Sequence, residues 1–301
     1  MKNELKNYCS SLHIEDVGIA AIGPYNELAE RWRQRLNKGH VTGFEEKDFE
    51  RRIDPQLTLD NAQSVIVCLF PYFSGRNGDS NLSKSSITID YHLVVQNKLE
   101  LIGKFLKNKI TGFEYKAFVD NGPLADRYLA YLSGLGYFGI NSHIFADKYG
   151  SYVYIGYIIN NHPFEPDKPL DKTCKQCGNC IRNCPGNAIL GNFDINPLLC
   201  RSFITQKKGE LLEDEINIIK KSPLIFGCDI CQDVCPHNKA VPNTPIREFT
   251  ENIVHKINNK EIKEISNKEF KRRYGNRSFS WRGKGILQRN FELINRDKNH
   301  T

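Results

Sequence analysis

Long hydrophobic runs are missing from this chain. Nowhere do its 301 residues approach the roughly eighteen consecutive apolar positions of a membrane-crossing helix, so no membrane partner is expected. The first residues, MKNELKNYCSSLHIEDVG, carry no apolar leader segment, so a secretory signal is not expected and the chain is read as cytoplasmic, in a reducing compartment. There a disulfide framework is disfavoured, and the ten cysteines read as metal ligands instead. Neither G-x-G-x-x-G nor a phosphate loop occurs, which removes the usual glycine-rich signatures of nucleotide sites. No internal repeat stands out beyond two related cysteine runs. Net charge is absent from the first 240 residues, which hold 28 Lys and Arg against 28 Asp and Glu.

What is present is concentrated. The whole excess of +7 lies in residues 241–301, with 14 basic against 7 acidic side chains. It is densest in KEFKRRYGNRSFSWRGKGILQR (268–289), with eight basic and one acidic. Such a run is commonly a solvated helix face. Its interleaved Phe270, Tyr274, Phe279 and Trp281, on an otherwise neutral chain, point instead to a polyanionic partner. Eight of the ten cysteines crowd between residues 174 and 235, and the 40% hydrophobic content is enough for a sizeable core elsewhere.

The pattern divides the chain at about residues 165 and 240. In residues 1–165, SVIVCLF (64–70) is a continuous apolar run, like a strand buried on both faces. YHLVVQNKLELIGKFLKNK (91–109) has helical spacing and ends in basic residues. FEYKAFVD (113–120) alternates like a strand and ends on an acid. PLADRYLAYLSGLG (123–136) opens on proline and closes on glycine, like a helix, and YVYIGYIIN (152–160) reads as another strand. The expected fold is α/β (α+β), a mixed sheet covered by helices. Three prolines in 162–173 mark a linker. Residues 166–240 read as a ferredoxin-like domain for two [4Fe-4S] clusters, and residues 241–301 as a basic tail.

The cysteine spacing carries the strongest signal. CKQCGNCIRNCP (174–185) is the C-x2-C-x2-C-x3-C-P run of bacterial ferredoxins, in which three cysteines hold one [4Fe-4S] cluster and the fourth crosses to the other. CDICQDVCP (228–236) repeats it without the leading cysteine. The crossing rule assigns Cys174, Cys177, Cys180 and Cys235 to cluster 1, and Cys184, Cys228 and Cys231 to cluster 2. Cys200 is the remaining cysteine of this region and supplies the eighth ligand. Two zinc sites are the competing reading, since CxxC pairs also build zinc ribbons, but zinc needs no crossing ligands and no following prolines. Cys9 and Cys68 read as plain thiols.

At RRIDPQLTLDNAQSVIVCLFPY (51–72), VDNGPLADRYLAYLSGLGYFGIN (119–141), GSYVYIGYII (150–159) and FKRRYGNRSFSWRGKGILQRN (270–290) the chain resembles epoxyqueuosine reductases, and Cys200 lies where that family has a ligand. The resemblance covers residues 50–290. It implies a cobalamin-binding first domain, electrons relayed through both clusters from a low-potential donor such as ferredoxin or flavodoxin, and removal of the epoxide oxygen of epoxyqueuosine at the wobble position of tRNA. It implies Asp120 as proton donor, with a pKa raised by desolvation so that it stays protonated. It implies Arg52, His92, Asp120, Gly139, Asn141, Ser202 and Asp229 as cobalamin contacts. The chain departs from the family at Asp126, Tyr137, Ile140 and Tyr157, where glutamate, tryptophan, lysine and glutamate are usual. The helical-repeat domain that grips tRNA in long members has no counterpart here, so the chain is read as a short form. Arg272, Arg273, Arg277, Arg282 and Lys284 are then expected to form one tRNA-contacting patch. A cobalamin/iron–sulfur reductase or electron carrier for a small molecule or protein partner is the alternative, and a zinc-bearing nucleic-acid binder a third.

Overall fold

The structure is a computed structural model that describes residues 1–75 and 79–295. In chain order its strands are β1 (Val17–Ala21), β2 (Ser64–Pro71), β3 (Tyr115–Val119), β4 (Tyr137–Phe138), β5 (Ile144–Phe145), β6 (Val153–Asn160), β7 (Ile189–Gly191) and β8 (Asp194–Ile195). Four of them form the main sheet in the order β1-β2-β6-β3, and β4-β5 and β7-β8 are two-stranded. All three pairings of the main sheet are antiparallel, which corrects the expected mixed sheet. The uninterrupted apolar run of β2 reflects cover on both faces, and strand direction does not enter. Ile66, Cys68 and Phe70 pack with Leu5, Cys9, Val95 and Leu99, whereas Val65, Val67 and Leu69 pack with Leu129, Ala130 and Ile159.

The helix Tyr91–Lys109 lies on the first of these faces. Asp90 caps it by accepting from the His92 amide at 3.0 Å, and Val94, Val95, Leu99, Ile102 and Leu106 are buried at helical spacing. It can approach this closely because β6 has Gly156 beneath it, where a Cβ would come within 2.7 Å of Val95. The result sets Tyr91 and His92, the helix's first residues, beside the end of β3.

The cysteine region is built from short turns. Helices Asn179–Arg182 and Ile230–Asp233 each begin inside a cysteine run, and Arg201–Ile204 follows Cys200. Arg201 is 1% exposed, and its guanidinium donates to the carbonyls of Ile219, Ser222, Leu224 and Gly227, tying Cys200 to the approach to Cys228.

Residues 241–295 are a packed unit and do not trail away as a tail. Ile246 and Phe249 enter the core beneath the sheet. Ile257, Ile262, Phe270, Phe279, Leu287 and Phe291 form a core with Leu82, Ile87, Ile225 and Phe226. The fully buried Asn290 donates to Thr205 and Ile225 carbonyls, both at 2.8 Å. Among the described residues no helix is long and apolar enough to cross a membrane.

Candidate active site and metal-ligand groups

Asp120 follows β3 directly, with φ +56°, a left-handed conformation that aspartate tolerates and that turns its carboxylate toward the start of the Tyr91–Lys109 helix. Tyr91 Oη–H donates to Asp120 Oδ2 at 2.6 Å, and His92 Nε2 lies 3.4 Å from the same oxygen. His92 Nδ1 is held by Asp90 Oδ1 at 2.8 Å. The carboxylate side chain is 51% exposed, so one side of this network is open. Burial pushes the Asp120 pKa up, but the hydrogen bonds from His92 and Tyr91 and the charges of His92 and Arg127 outweigh it, and the net shift is downward. Burial would likewise lower His92, but hydrogen bonds to Asp120 and Asp90 raise it to about 9. This corrects the expected protonated Asp120: near neutrality the proton sits on His92, and Asp120 is a carboxylate.

The eight cysteines fall into two groups. Cys174, Cys177, Cys180 and Cys235 line one recess together with Gly139, Ile140, Asn141 and Phe145. Burial and then the neighbouring Cys200, Cys228, Cys184 and, last, Cys180 of the first recess push the Cys231 thiol upward, so Cys231 lies near the remaining three sulfurs and close to the first group as well. Main-chain N–H groups point at sulfur in both: Gln176 to Cys174 at 3.4 Å, Ala188 to Cys184 at 3.2 Å. A zinc ion draws its ligands into one small tetrahedron; among the described residues no group of three or more His, Cys, Asp or Glu is set to hold a single ion. The set of four thiols around the open recess, Cys174, Cys177, Cys180 and Cys235, suits the wider corners of a cubane. Cys9 and Cys68 are buried in the core under the sheet, apart from both groups.

Asn141 joins the parts: its Nδ2 donates to the Cys231 carbonyl at 3.3 Å, and Gly139 beside it lines the recess of the first group. His143 Nε2 stands 3.8 Å from Cys231 Sγ, and Arg127 donates to the Ser142 carbonyl at 3.1 Å while its charge acts on both Asp120 and Cys200. Arg52 stacks over Trp32 at 4.4 Å, and its Nε is buried with no acceptor. Ser202 lies on the turn after Cys200, where its carbonyl accepts from Thr205 and Gln206, both at 2.9 Å. Asp229 is committed elsewhere: buried, with a pKa raised by that burial to about 6, it accepts from the Lys84 amide at 2.8 Å and pins segment 80–90 to the cysteine run.

Three of the departures become structural. Tyr157 is fully buried and accepts from the Leu124 amide at 3.0 Å, holding the loop after Asp120; Gly122 leaves room for it, since a Cβ there would lie 2.1 Å from the hydroxyl. Ile140 packs on Cys180 and Ile189, and Tyr137 Oη meets His237 Nδ1 at 3.0 Å. The fourth, Asp126, is the first residue of its helix, where Oδ1 accepts from the Arg127 amide at 2.7 Å.

The single basic patch expected after residue 268 is not there. Arg277 is 8% exposed and donates to the Asn252 carbonyl at 2.6 Å. Lys284 Nζ turns inward to the Ile262 and Ile265 carbonyls. Lys284 closes the end of the Asn259–Glu264 helix and Arg277 ties down the bend at Asn252, uses the sequence run does not reveal. Arg272 and Arg273 are exposed and paired with Glu269. Arg282 stacks 3.8 Å over Trp281 and 5.0 Å over Phe44, two exposed aromatics whose platform also includes Phe203, 5.2 Å from Phe44. Phe44, Tyr91 and Asp90 escaped the sequence reading; the capping aspartate two residues before His92 was the one available signal.

Residues 173–238 match the family described as 4Fe-4S double cluster binding domain, and residues 52–121 match epoxyqueuosine reductase QueG, DUF1730. An epoxyqueuosine reductase of Bacillus cereus is 37% identical over 301 residues, covering 96% of this chain and 78% of that one. The crystal structure of an epoxyqueuosine reductase with an epoxyqueuosine-modified tRNA-Tyr stem loop is similar with a TM-score of 0.92 at 35% identity, covering 98% of this chain and 80% of that one. A reductive dehalogenase, whose structure suggests a mechanism for B12-dependent dehalogenation, shares the fold with a TM-score of 0.51 at 13% identity, covering 98% of this chain and 36% of that one.

Proposed function

This chain belongs to the epoxyqueuosine reductase family, and on that premise we propose that it is an oxidoreductase that converts epoxyqueuosine to queuosine at the wobble position of tRNA. The observation that carries the reading is the joining of the two cysteine groups to the Asp120 corner through Asn141, His143 and Arg127. Removing an epoxide oxygen to leave an alkene takes two electrons and two protons, and the oxygen departs as water. One part of the molecule has thiols for electron carriers, and the other has a proton held in place.

We assign Cys174, Cys177, Cys180 and Cys235 to one [4Fe-4S] cluster and Cys184, Cys200, Cys228 and Cys231 to the other, which when bound relay single electrons from a low-potential donor. Cobalamin fits the Asp120 corner. The Arg52 Nε–H is buried without an acceptor, and the amide carbonyls around a corrin are acceptors of that kind; Gly139 and Asn141 line the recess of the first cysteine group, and Asn141 reaches the Cys231 carbonyl. When bound it supplies a strongly reducing cobalt centre to the epoxide. The chain's own contribution is the proton. His92 passes its proton across the 3.4 Å contact to Asp120, whose half-exposed carboxyl delivers it to the oxygen as the C–O bond breaks; reprotonation of His92 from solvent supplies the second proton, and the oxygen leaves as water. Asp90 fixes the imidazole, and Tyr91 keeps the carboxylate in place. For the nucleic acid, the platform of Phe44, Trp281 and Arg282 offers faces on which an unpaired base stacks, with Arg272 and Arg273 available to phosphates.

The test is an anaerobic assay of the reconstituted chain with cobalamin and epoxyqueuosine-containing tRNA, read by the mass of the released nucleoside. Loss of one oxygen is the expected result; unchanged epoxyqueuosine with both clusters in place rejects the reading.

A further inference from the structure

Of the ten cysteines Cys177 is the exposed one. It lies on a surface with its own charge. Residues 168–182 hold four basic side chains, Lys168, Lys172, Lys175 and Arg182, against the single acid Asp171, within the first 240 residues, whose net charge is zero. All four are exposed. Lys175 lines the recess of the first cysteine group and Arg182 donates to the Cys177 carbonyl at 3.1 Å, so two of these cations stand beside that group, with Lys168 and Lys172 on the segment that leads into it. Lys172 is paired with Asp147 at 2.6 Å in an exposed ion pair, which neutralises little. Lys168 and Lys175 make no ion pair among the described residues. The second cysteine group, by contrast, is tied to the interior: the Cys231 carbonyl accepts from the buried Asn141, and His143 stands beside the sulfur.

Resting on the cluster assignment above, we infer that this rim, Cys177 with Lys168, Lys172, Lys175 and Arg182, is the docking surface for an acidic one-electron redox protein. Electron transfer weakens steeply with distance, so electrons enter where a ligand reaches the surface. A basic rim around that point attracts an acidic partner and orients its cofactor toward Cys177. The step is a plain electron exchange: the donor is oxidised by one electron, the first cluster is reduced by one, and no bond or proton changes place.

The experiment compares the full reconstituted chain with Lys168→Glu/Lys172→Glu/Lys175→Glu, following bleaching of the visible cluster absorbance under anaerobic conditions. Two reductants are used: an acidic flavodoxin, fully reduced beforehand, and dithionite. For wild type the flavodoxin rate falls as salt rises. For the triple variant it is about 10- to 100-fold lower at low salt and nearly insensitive to salt, while the dithionite rate is unchanged. Iron content is measured first; should the triple variant lose iron, Lys168→Glu/Lys172→Glu, clear of the cysteines, carries the test with a smaller decrease. Equal flavodoxin rates for wild type and variant overturn the inference. So does a variant that loses affinity for an RNA stem loop while flavodoxin reduces it normally, since the rim is then a nucleic-acid surface. Failure of dithionite to bleach the wild type strikes instead at the cluster assignment.

Discussion

The two cysteine groups are made from the same thiols on the same short turns, yet their settings are opposite. The first has Cys177 at the surface and exposed cations nearby. The second abuts buried Asn141 and His143 and shares the charge of Arg127 with Asp120. Equivalent sulfur chemistry in unequal surroundings gives a path a direction: the outer end is shaped for a partner to reach, and the inner end for a reaction that must keep water and oxidants out. Division of labour follows. Damage to the outer end should be curable by a reductant that needs no docking, whereas damage to the inner end should not.

The largest effects test that asymmetry. The full chain is expected to hold about eight iron atoms, and Cys200→Ala about four. Cys200→Ala should abolish turnover with any reductant. Cys177→Ala also removes about four iron atoms, yet with dithionite it should keep measurable turnover, because the inner group still adjoins the Asp120 corner. Equal, complete inactivity of both variants with dithionite would erase the distinction between the ends.

Next in size is the proton. Asp120→Asn keeps the shape of the side chain and removes its acid–base chemistry, so turnover should drop roughly 10²–10⁴-fold while both clusters still bleach at the normal rate. His92 adds a pH signature. Its pKa is raised in the folded chain to about 9, so its ion pair with Asp90 and Asp120 is fully present below the ordinary histidine value and is lost as pH rises through about 9. The lowered Asp120 pKa sets the other limit, with stability lost as pH falls below the ordinary aspartate range. Wild-type turnover should therefore fall above about pH 9. His92→Gln should be slower at neutrality and lack that alkaline limb, and its stability deficit should shrink at high pH. A His92→Gln profile with the wild-type limb intact would take the proton away from His92.

How far the sequence could be read follows the same inner and outer division. Spacing and the crossing rule grouped seven of the cysteines, because most ligands of a cubane are close in sequence; Cys200, distant from both runs, was reached only as the remaining cysteine of the region. The strand at 64–70 and the helix at 91–109 were legible because each buries a face at its own period. Strand direction was not, since β2 is equally apolar whether its neighbours run parallel or antiparallel. The protonation of Asp120 was misjudged because its pKa is decided by Tyr91 and His92, some 28 residues away in the chain. The basic run at 268–289 misled for a simpler reason. Composition counts cations without showing which of them, like Arg277 and Lys284, are already spent on carbonyls. Reversing Arg277 is accordingly expected to unfold the C-terminal unit, whereas Trp281→Ala should weaken stem-loop binding by about 5- to 100-fold and leave iron content alone, as expected for loss of one base-stacking face.

The smallest effect expected sits at Tyr157, and it sharpens what the inner end requires. Its hydroxyl accepts from the Leu124 amide at 3.0 Å inside the core, and its ring stacks on Phe118 at 5.4 Å, so it clamps both ends of the turn that carries Asp120. Tyr157→Phe keeps the ring and deletes the acceptor. The Leu124 N–H, on a residue 2% exposed, is left without a partner, which costs about 1–3 kcal/mol unless the loop moves out to meet water. Moving out relieves the cost and takes Asp120 away from its place between Tyr91 and His92. Part of the penalty thus appears as a smaller population of the competent loop, and turnover should fall about 3- to 10-fold, since 1.36 kcal/mol corresponds to tenfold. Cluster reduction by either reductant should be untouched, and the alkaline limb set by His92 should become shallower as the pair is broken more often. A Tyr157→Phe chain with a lower melting temperature but wild-type turnover and pH profile would make the clamp a matter of stability alone, and would leave the placing of Asp120 to Tyr91 and His92.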